Sequence, residues 1–366
     1  MPYEPHPGMG VEELDTPALI VDLDILERNI AKMADFFAGR PASLRPHSKT
    51  HKTPAIAHLQ LKAGAIGITC AKVGEAEAMA DGGVRDILIA NQVIGRVKID
   101  RLTDLARRAD IMVAVDDARN VADLSQAASA KGVPLRVLVE VDIGMRRCGV
   151  PPGGPTLELA RRVAASPGLR LAGLMSYEGH LVLIPDPEER RRKVLADLEP
   201  LADTVDLLRR HGLAPEIVSG GATGSYDVTG SHPVMTEIQA GSYVFMDNTY
   251  GAVRPEFEVS LTVLSTVVSR PCPDYIVTDA GLKALTRDFG WPELLDVPGA
   301  GVRYLSEEHG VIDLANPEAV HLRPGDRVSF ISDHCCTTIN LYDRLHAVRR
   351  GVVEAIWPIT GRGKSQ

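Results

Sequence analysis

The strongest constraint on the fold is a regular alternation of short apolar runs and helical patterns between about residues 20 and 245. Counted from the run ASLRPHSK, eight runs have the length of strands, and nearly all precede apolar residues at helical spacing. The runs are apolar throughout, as expected for parallel strands buried on both faces. This rhythm predicts a (β/α)8 TIM-type barrel in an α/β protein, with a doubly wound open sheet as the alternative.

The pattern changes after Phe245. Strand-like segments follow one another, separated by Gly, Pro and Asp turns, and there is almost no helical signal, as in FEVSLTVLSTVVSR, DYIVTDAG and DRVSFISDH. This indicates a second, all-β domain. We therefore predict a barrel over residues 19–250 and a β domain formed by residues 251–366 together with residues 1–18.

Charge and composition exclude several classes of protein. The formal charge of the 366-residue chain is −8, which argues against general affinity for nucleic acid or anionic membrane. No apolar run reaches the roughly 18 residues of a membrane span, and the N-terminus has no signal-peptide pattern. The five cysteines are an odd number, which disfavours a disulfide framework. We expect a cytoplasmic protein that binds neither nucleic acid nor membrane.

Unusual side chains follow the predicted strands, where barrel enzymes carry their functional groups. Lys49 ends the first strand, Arg147 follows the fifth, and Tyr177 and Glu178 end the sixth. Loops rich in Gly, Ser and Thr follow the last two strands and contain Gly221, Thr223, Gly224, Gly241, Ser242 and Tyr243. A lysine amine can form a Schiff base with pyridoxal phosphate (PLP), and glycine-rich loops can bind its phosphate. Each feature alone is more often a turn or a salt bridge, but their coincidence favours a PLP site.

Two lysines compete for that role in RPHSKTHK. The strand pattern places Lys49 at the mouth of the barrel and Lys52 on the turn that follows, as a solvated or supporting residue. His47 is expected near the strand face, and His51 is expected either close to the cofactor or in solvent.

A second cluster of reactive side chains lies in ISDHCCTTIN. If this segment is extended, His334 and Cys336 point to one face and Cys335 points to the other, where it packs. An imidazole and a thiolate suit Zn²⁺. The pair is a weak signal by itself, since structural cysteines are more common.

Taken together, these motifs resemble the D-threonine aldolase and D-serine dehydratase family of fold-type III, alanine-racemase-like PLP enzymes. The resemblance spans nearly the whole chain, through DTPALIVDLDILERNI, RPHSKTHK, EVDIGMRRCGV, SGGATGS, EIQAGSYVFMD, DAGLKA, EEHGV and VVEAIWPITGRGKS. It implies a PLP- and metal-dependent lyase that acts on a D-β-hydroxy-α-amino acid, and it implies a homodimer.

The resemblance also implies a role for each site residue. Lys49 would carry PLP, Arg147 would hydrogen-bond the phenolic oxygen of the cofactor, and Tyr177 would stack on its ring. The six residues of the two Gly/Ser/Thr loops match the family's phosphate-site segments. His334 and Cys336 would hold the divalent metal, either zinc or manganese.

Two departures from the family pattern affect the reaction. Aldolases of this family carry Asp where this chain has Cys336, so the metal pair favours dehydratase-like chemistry and zinc, whereas the C-terminal motif and SGGATGSY look aldolase-like. Leu183 stands near the place of the histidine proposed as the aldolase base, which leaves His180 or Glu178 as the base. We expect an aldolase that forms glycine and an aldehyde, with a dehydratase that forms a 2-oxo acid and ammonia as the alternative. A metal-free PLP racemase and a non-catalytic PLP carrier are alternatives of other classes.

Overall fold

The computed structural model describes residues 3–295 and 297–366, which form two compact units. The barrel unit comprises Lys32–Lys49, Thr53–Gly241 and Gly363–Gln366. The β unit comprises the residues up to Ala31, Thr50–Lys52 and Ser242–Arg362. The predicted boundaries differ from this division at residues 19–31, 50–52 and 242–250, which lie in the β unit, and at residues 363–366, which lie in the barrel unit.

The sheet of the barrel unit consists of eight parallel strands in the order β2-β9-β8-β7-β6-β5-β4-β3. A bridge between His47 and Thr69 and a bond from Ile66 N–H to Leu44 O join the chain beside the two end strands. This confirms the predicted eight-stranded parallel architecture. The strands are β2 (Ser43–Leu44), β3 (Ile68–Cys70), β4 (Asp86–Gln92), β5 (Asp110–Val115), β6 (Leu135–Val141), β7 (Leu169–Ser176), β8 (Ile217–Gly220) and β9 (Glu237–Ile238).

Helices follow most of these strands, and local sequence explains their ends. Asp117 caps α5 by accepting bonds from two backbone N–H groups, and Gly132 ends that helix at φ 64°, a left-handed conformation that suits glycine. Asp186 caps α7, which begins with a proline. The helices of the barrel unit are α2 (Pro54–Lys62), α3 (Val73–Asp81), α4 (Arg96–Leu105), α5 (Ala118–Lys131), α6 (Gly154–Ala164), α7 (Pro187–Arg210) and α8 (Tyr226–Thr229).

A charged network joins the amino ends of the barrel strands. Arg45 is 2% exposed and donates two bonds to Glu237 and a third to Asp86. Arg136 forms ion pairs with Asp86 and Asp110. These residues lie at the end of the barrel opposite to the strand ends where functional groups are expected, so we assign them to stability.

The β unit contains a mostly antiparallel sheet in the order β13-β14-β11-β10-β1-β16-β17, with β15 beside β10 and β12 beside β15. A bridge between Gly10 and Val352 joins the N-terminal segment to this sheet. The strands are β1 (Ala18–Asp22), β10 (Leu261–Cys272), β11 (Tyr275–Thr278), β12 (Glu293–Leu295), β13 (Ala300–Leu305), β14 (Gly310–Leu314), β15 (Arg327–Ile331), β16 (Arg344–Arg349) and β17 (Val352–Pro358).

In the described part of the β unit three α-helices begin, and two of them are short. Helix α1 (Leu23–Phe37) follows β1, whereas α9 (Asn248–Gly251) and α10 (Cys335–Ile339) are single turns in segments without a helical sequence pattern. Among the described residues, none of the helices combines the length and the apolar character that a membrane span requires.

Candidate active site

Lys49 lies on a 3-10 turn, Ser48–Thr50, shortly after β2. Its side chain is exposed although its neighbours Ser48 and Thr50 are fully buried. The hydroxyl of Ser48 donates to Oε1 of the buried Glu75 at 2.5 Å, which fixes the start of the turn. The turn thus holds a long, flexible amine on a rigid base at the carboxyl end of a barrel strand.

Lys52 has a different environment from Lys49. It is only 9% exposed, has φ 50°, and its Nζ donates to Gly361 O at 3.4 Å. Gly361 N–H in turn donates to Lys52 O at 3.0 Å. Of the two predicted positions of Lys52, solvated or supporting, the solvated one is therefore excluded, because Gly361 packs on it within the β unit. His51 is also fully buried, which excludes the solvated alternative.

Arg147 and Tyr177 are brought together in the barrel unit. The guanidinium carbon of Arg147 lies 5.4 Å from the centre of the Tyr177 ring, within the range of a cation–π contact. Arg147 is exposed and Tyr177 is half-buried. A planar cation and an aromatic face beside one another suit a planar, anionic cofactor ring.

The glycine-rich loops after β8 and β9 begin side by side, because Gln239 N–H donates to Gly220 O at 2.8 Å. Gly221 has φ 72°, and a Cβ at Gly224 would lie 2.2 Å from Val182 O. Both positions therefore require glycine. Thr223 is 1% exposed, and the second loop continues from Gly241 into the 3-10 turn of Ser242 and Tyr243. Close-packed loops of this kind fit a phosphate group, because their backbone N–H groups can face an anion.

Glu178 is fully buried and supports the first of these loops. Its Oε1 accepts hydrogen bonds from the hydroxyls of Ser225 and Thr229, whereas Oε2 accepts none from the described residues. Ser225 is the N-cap of α8 and Thr229 is the last residue of that helix, which directly follows the glycine-rich loop. This geometry favours a loop-anchoring role over the predicted role of a base.

His180 is exposed, and its Nε2 lies 3.0 Å from Oδ2 of Asp197 on α7. The pKa of Asp197 is raised, mainly by burial and also by the nearby Asp142, although His180 opposes this shift. The contact with Asp197 orients the ring of His180. Of the two predicted bases, His180 has the environment that suits this chemistry better.

His334, Cys335 and Cys336 form a cluster in the β unit, and their ligand atoms lie within 4.8 Å of one another. An imidazole and thiols at such distances fit a zinc-like ion, which prefers N and S ligands. The Oγ1 of Thr50 lies 3.4 Å from the Sγ of Cys336. The structure therefore brings the predicted metal pair His334 and Cys336 together.

The prediction for Cys335 is partly wrong. Cys335 is fully buried, as expected for a packing residue, but its sulfur lies in the cluster instead of on an opposite face. The reason is local: His334 is extended, yet Cys335 begins α10, so the alternation of an extended strand does not apply. Burial raises the pKa of the Cys335 thiol well above its usual value, which disfavours the thiolate form that binds metals.

Asp247 holds His334 in place. Its Oδ2 lies 2.9 Å from His334 Nδ1 and also accepts from Cys335 N–H at 2.9 Å. Burial lowers the pKa of His334, but the hydrogen bonds to Asp247 and Cys336 outweigh it and raise the pKa to about 10. The ring of Phe289 lies 4.7 Å from the imidazole.

Comparison with known proteins identifies the family. The family described as alanine racemase, N-terminal domain, matches residues 21–249, and the putative serine dehydratase domain matches residues 260–348. The first match covers more than half of the chain. The chain belongs to this alanine-racemase-like family. The resemblance inferred from the sequence motifs is thereby confirmed.

Full-length relatives refine the comparison. The chain is 41% identical to a D-threonine aldolase of Arthrobacter sp, with 100% of this chain and 97% of that protein covered. It is 40% identical to a 3-hydroxy-D-aspartate aldolase of Paracoccus denitrificans, with 98% and 95% covered. The crystal structure of a D-threonine aldolase from Filomicrobium marinum superposes with a TM-score of 0.96 at 42% identity, covering 99% of this chain and 100% of that chain.

A dehydratase is also similar in structure. The D-threo-3-hydroxyaspartate dehydratase of Delftia sp. HT23 has a TM-score of 0.87 at 28% identity, covering 95% of this chain and 98% of that chain. A variant of a dehydratase of that name, in which a cysteine is replaced by alanine, is described as metal-free, with a TM-score of 0.86 at 27% identity and coverage of 96% and 98%.

Sequence reasoning missed Asp247, Asp197 and Glu75, three carboxylates that contact predicted site residues or their neighbours. Asp247 directly follows the apolar run SYVFM, and an acidic residue at the end of a buried run was an available signal. Asp197 lies on a long charged helix and Glu75 on a helix of ordinary composition, so nothing in the sequence distinguishes either from a surface residue.

Proposed function

We propose that this protein is a PLP- and divalent-metal-dependent lyase that cleaves D-β-hydroxy-α-amino acids into glycine and an aldehyde. The observation that carries the proposal is the cluster of His334 and Cys336 in a chain whose barrel unit also carries Lys49, Arg147 and Tyr177 after its strands. Aldolases that act on D-threonine and 3-hydroxy-D-aspartate are relatives of 40–41% identity over nearly the whole chain, which supports the same reaction type here.

Each residue of the barrel unit has a proposed task. Lys49 anchors the cofactor through its amine, Arg147 donates to its phenolic oxygen and Tyr177 stacks on its ring. The loops that contain Gly221, Thr223, Gly224, Gly241, Ser242 and Tyr243 hold its phosphate. When bound, PLP supplies an electron sink for negative charge that develops at the substrate α-carbon.

His334 and Cys336 hold the divalent metal, zinc or manganese. A metal at these donors supplies Lewis acidity toward a hydroxyl oxygen. The soft thiolate of Cys336 favours zinc, a borderline-soft ion, over manganese, which prefers oxygen ligands.

His180 is the proposed base for the β-hydroxyl proton. It is exposed, and the contact of its Nε2 with Asp197 orients the ring, so the imidazole is placed to exchange a proton with solvent. Glu178 is less suited to this task because it is fully buried and bonded to two hydroxyls.

A dehydratase that forms a 2-oxo acid and ammonia is the second candidate. Cys336 supports it, because the metal motif with cysteine resembles that of the dehydratases, and a dehydratase is among the similar structures. In that reaction Lys49 would remove the α-proton.

Product analysis separates the two reactions. The protein is incubated with PLP, Zn²⁺ or Mn²⁺ and either D-threonine, D-serine or 3-hydroxy-D-aspartate. Glycine and an aldehyde are expected, and 2-oxo acid with ammonia would favour the dehydratase. EDTA should remove the activity, and the added metal should restore it. Activity that is indifferent to EDTA would contradict the metal-dependent reaction.

Variants of the two lysines test the cofactor anchor. Lys49→Ala should abolish the visible absorbance of covalently bound cofactor. Lys52→Ala should keep that absorbance and lower stability, because Lys52 packs against Gly361. The opposite pattern would assign the anchor to Lys52. The proposed homodimer and cytoplasmic location can be tested by light scattering and by cell fractionation.

A further inference from the structure

Asp247 occupies an unusual position beside the proposed metal pair. It is fully buried, and its carboxylate accepts from Tyr250 N–H at 2.8 Å through Oδ1 and from Cys335 N–H at 2.9 Å through Oδ2. The same Oδ2 lies 2.9 Å from Nδ1 of His334. One buried carboxylate therefore connects α9, α10 and the imidazole within the β unit.

These contacts determine the tautomer of His334. An ionised carboxylate only accepts hydrogen bonds, so the contact at 2.9 Å requires that Nδ1 of His334 carries the proton. An imidazole that binds a metal is neutral, so the lone pair of His334 then lies on Nε2. Both carboxylate oxygens of Asp247 already accept backbone N–H groups, so the carboxylate is also placed as an acceptor toward Nδ1.

The backbone conformation of the residue before Asp247 directs its side chain toward His334. Met246 is fully buried and has φ 53°, a left-handed conformation that non-glycine residues rarely adopt. The preceding turn is fixed by bonds from Phe245 N–H and Met246 N–H to Ser242 O. A strained conformation persists only where the surroundings determine it, and here it turns the chain so that Asp247 faces His334.

We propose that Asp247 is a positioning residue that fixes the His334 ring with Nε2 as the metal-binding atom. This inference rests on the proposed metal site at His334 and Cys336. Outer carboxylates of this type typically contribute about 10–100-fold to metal affinity, because they fix the ring orientation and raise the basicity of the ligand.

The test is a measurement of metal affinity that does not depend on turnover. Co²⁺ is titrated into the PLP-loaded protein and followed through the thiolate-to-cobalt charge-transfer absorbance, and Zn²⁺ affinity is obtained by competition with a chelator. Asp247→Ala and Asp247→Asn are expected to weaken both affinities by about 10–100-fold, because neither side chain requires Nδ1 to donate. The visible absorbance of the cofactor should stay unchanged in both variants.

Asp333→Asn is the matched control. Asp333 is also buried and adjacent to His334, but its Oδ2 accepts from Phe289 N–H and Gly290 N–H and not from the imidazole. This variant should keep the metal affinity of the wild type. An equal loss in Asp333→Asn and in Asp247→Asn would show that any buried charge near the cluster matters, and it would overturn the proposal.

A double-mutant cycle with His334→Ala separates positioning from general structural support. If Asp247 acts through His334, Asp247→Ala should have no further effect on the residual Co²⁺ affinity in the His334→Ala background. If Asp247→Ala weakens Co²⁺ binding in the His334→Ala background as much as it does in the wild type, the inference is overturned. If the wild type binds no metal, or if His334→Ala and Cys336→Ala bind it as the wild type does, the proposed metal site itself fails.

Discussion

The two possible roles of Glu178 lead to opposite expectations for Glu178→Ala. As an anchor, Glu178 accepts from the hydroxyls of Ser225 and Thr229, which are both fully buried. Its removal leaves two buried donors without an acceptor, and each costs about 1–3 kcal/mol. The substitution also removes Oε2, a buried oxygen that accepts no hydrogen bond from the described residues. Removal of this unfavourable group offsets part of the loss in stability. We expect the free energy of unfolding to fall by about 3 kcal/mol.

Glu178→Gln keeps an acceptor oxygen and should lose only about 1 kcal/mol, because a neutral hydrogen bond is weaker than one to a charged group. Unfolding by urea measures both changes, and titration with PLP measures the accompanying loss of cofactor affinity. Glu216→Ala is the control, since Glu216 forms only an exposed ion pair with Arg170, a kind of pair that contributes about 0–1 kcal/mol. With saturating PLP, Glu178→Ala should retain turnover.

The anchoring role would be refuted by a Glu178→Ala variant that unfolds like the wild type and binds PLP normally but has lost turnover. That outcome would identify Glu178 as a base. A double-mutant cycle of Glu178→Ala and Thr229→Val adds a check. If Glu178 is an anchor, the effects of the two substitutions on the free energy of unfolding should not be additive, because both remove the same hydrogen bond.

Other expected outcomes concern stability and the glycine-rich loop. Glu237→Ala should lower the free energy of unfolding by about 3–5 kcal/mol in urea, because it leaves the buried Arg45 without its bidentate partner. His346 is buried, and burial lowers its pKa in the folded state, so its contribution to stability should be complete above pH 6.5 and should decrease as the pH falls below that value. Urea unfolding between pH 7 and pH 5 should show a smaller loss of stability in His346→Gln than in the wild type. An equal pH dependence of stability in the two proteins would contradict this. Gly224→Ala should weaken PLP binding in a fluorescence titration, because its Cβ would lie 2.2 Å from Val182 O, and normal affinity would argue against a tight cradle.

The alternation of strands and helices could be predicted from the sequence, because parallel strands that are buried on both faces are apolar along their whole length. Among the eight apolar runs, DILIANQ became β4 over its whole length, and LRVLVEVDI became β6 except for its last two residues. The strand ALIVD was also visible, but its partners were not: it pairs with β10 and β16, which are encoded more than 200 residues later. Pairing between distant segments leaves no local signal, so the boundary of the β unit could not be read from the sequence.

The site residues divide in the same way. The chain by itself determined which side chains are chemically reactive and that Lys49, Arg147 and Tyr177 follow strands, because the direction of a parallel strand fixes where its end lies. Only the tertiary structure decided which groups meet. It buried Lys52 against Gly361, gave Glu178 two hydroxyl donors, and placed Asp247 against His334. Such contacts join residues dozens to hundreds of positions apart, and their geometry depends on how whole elements pack.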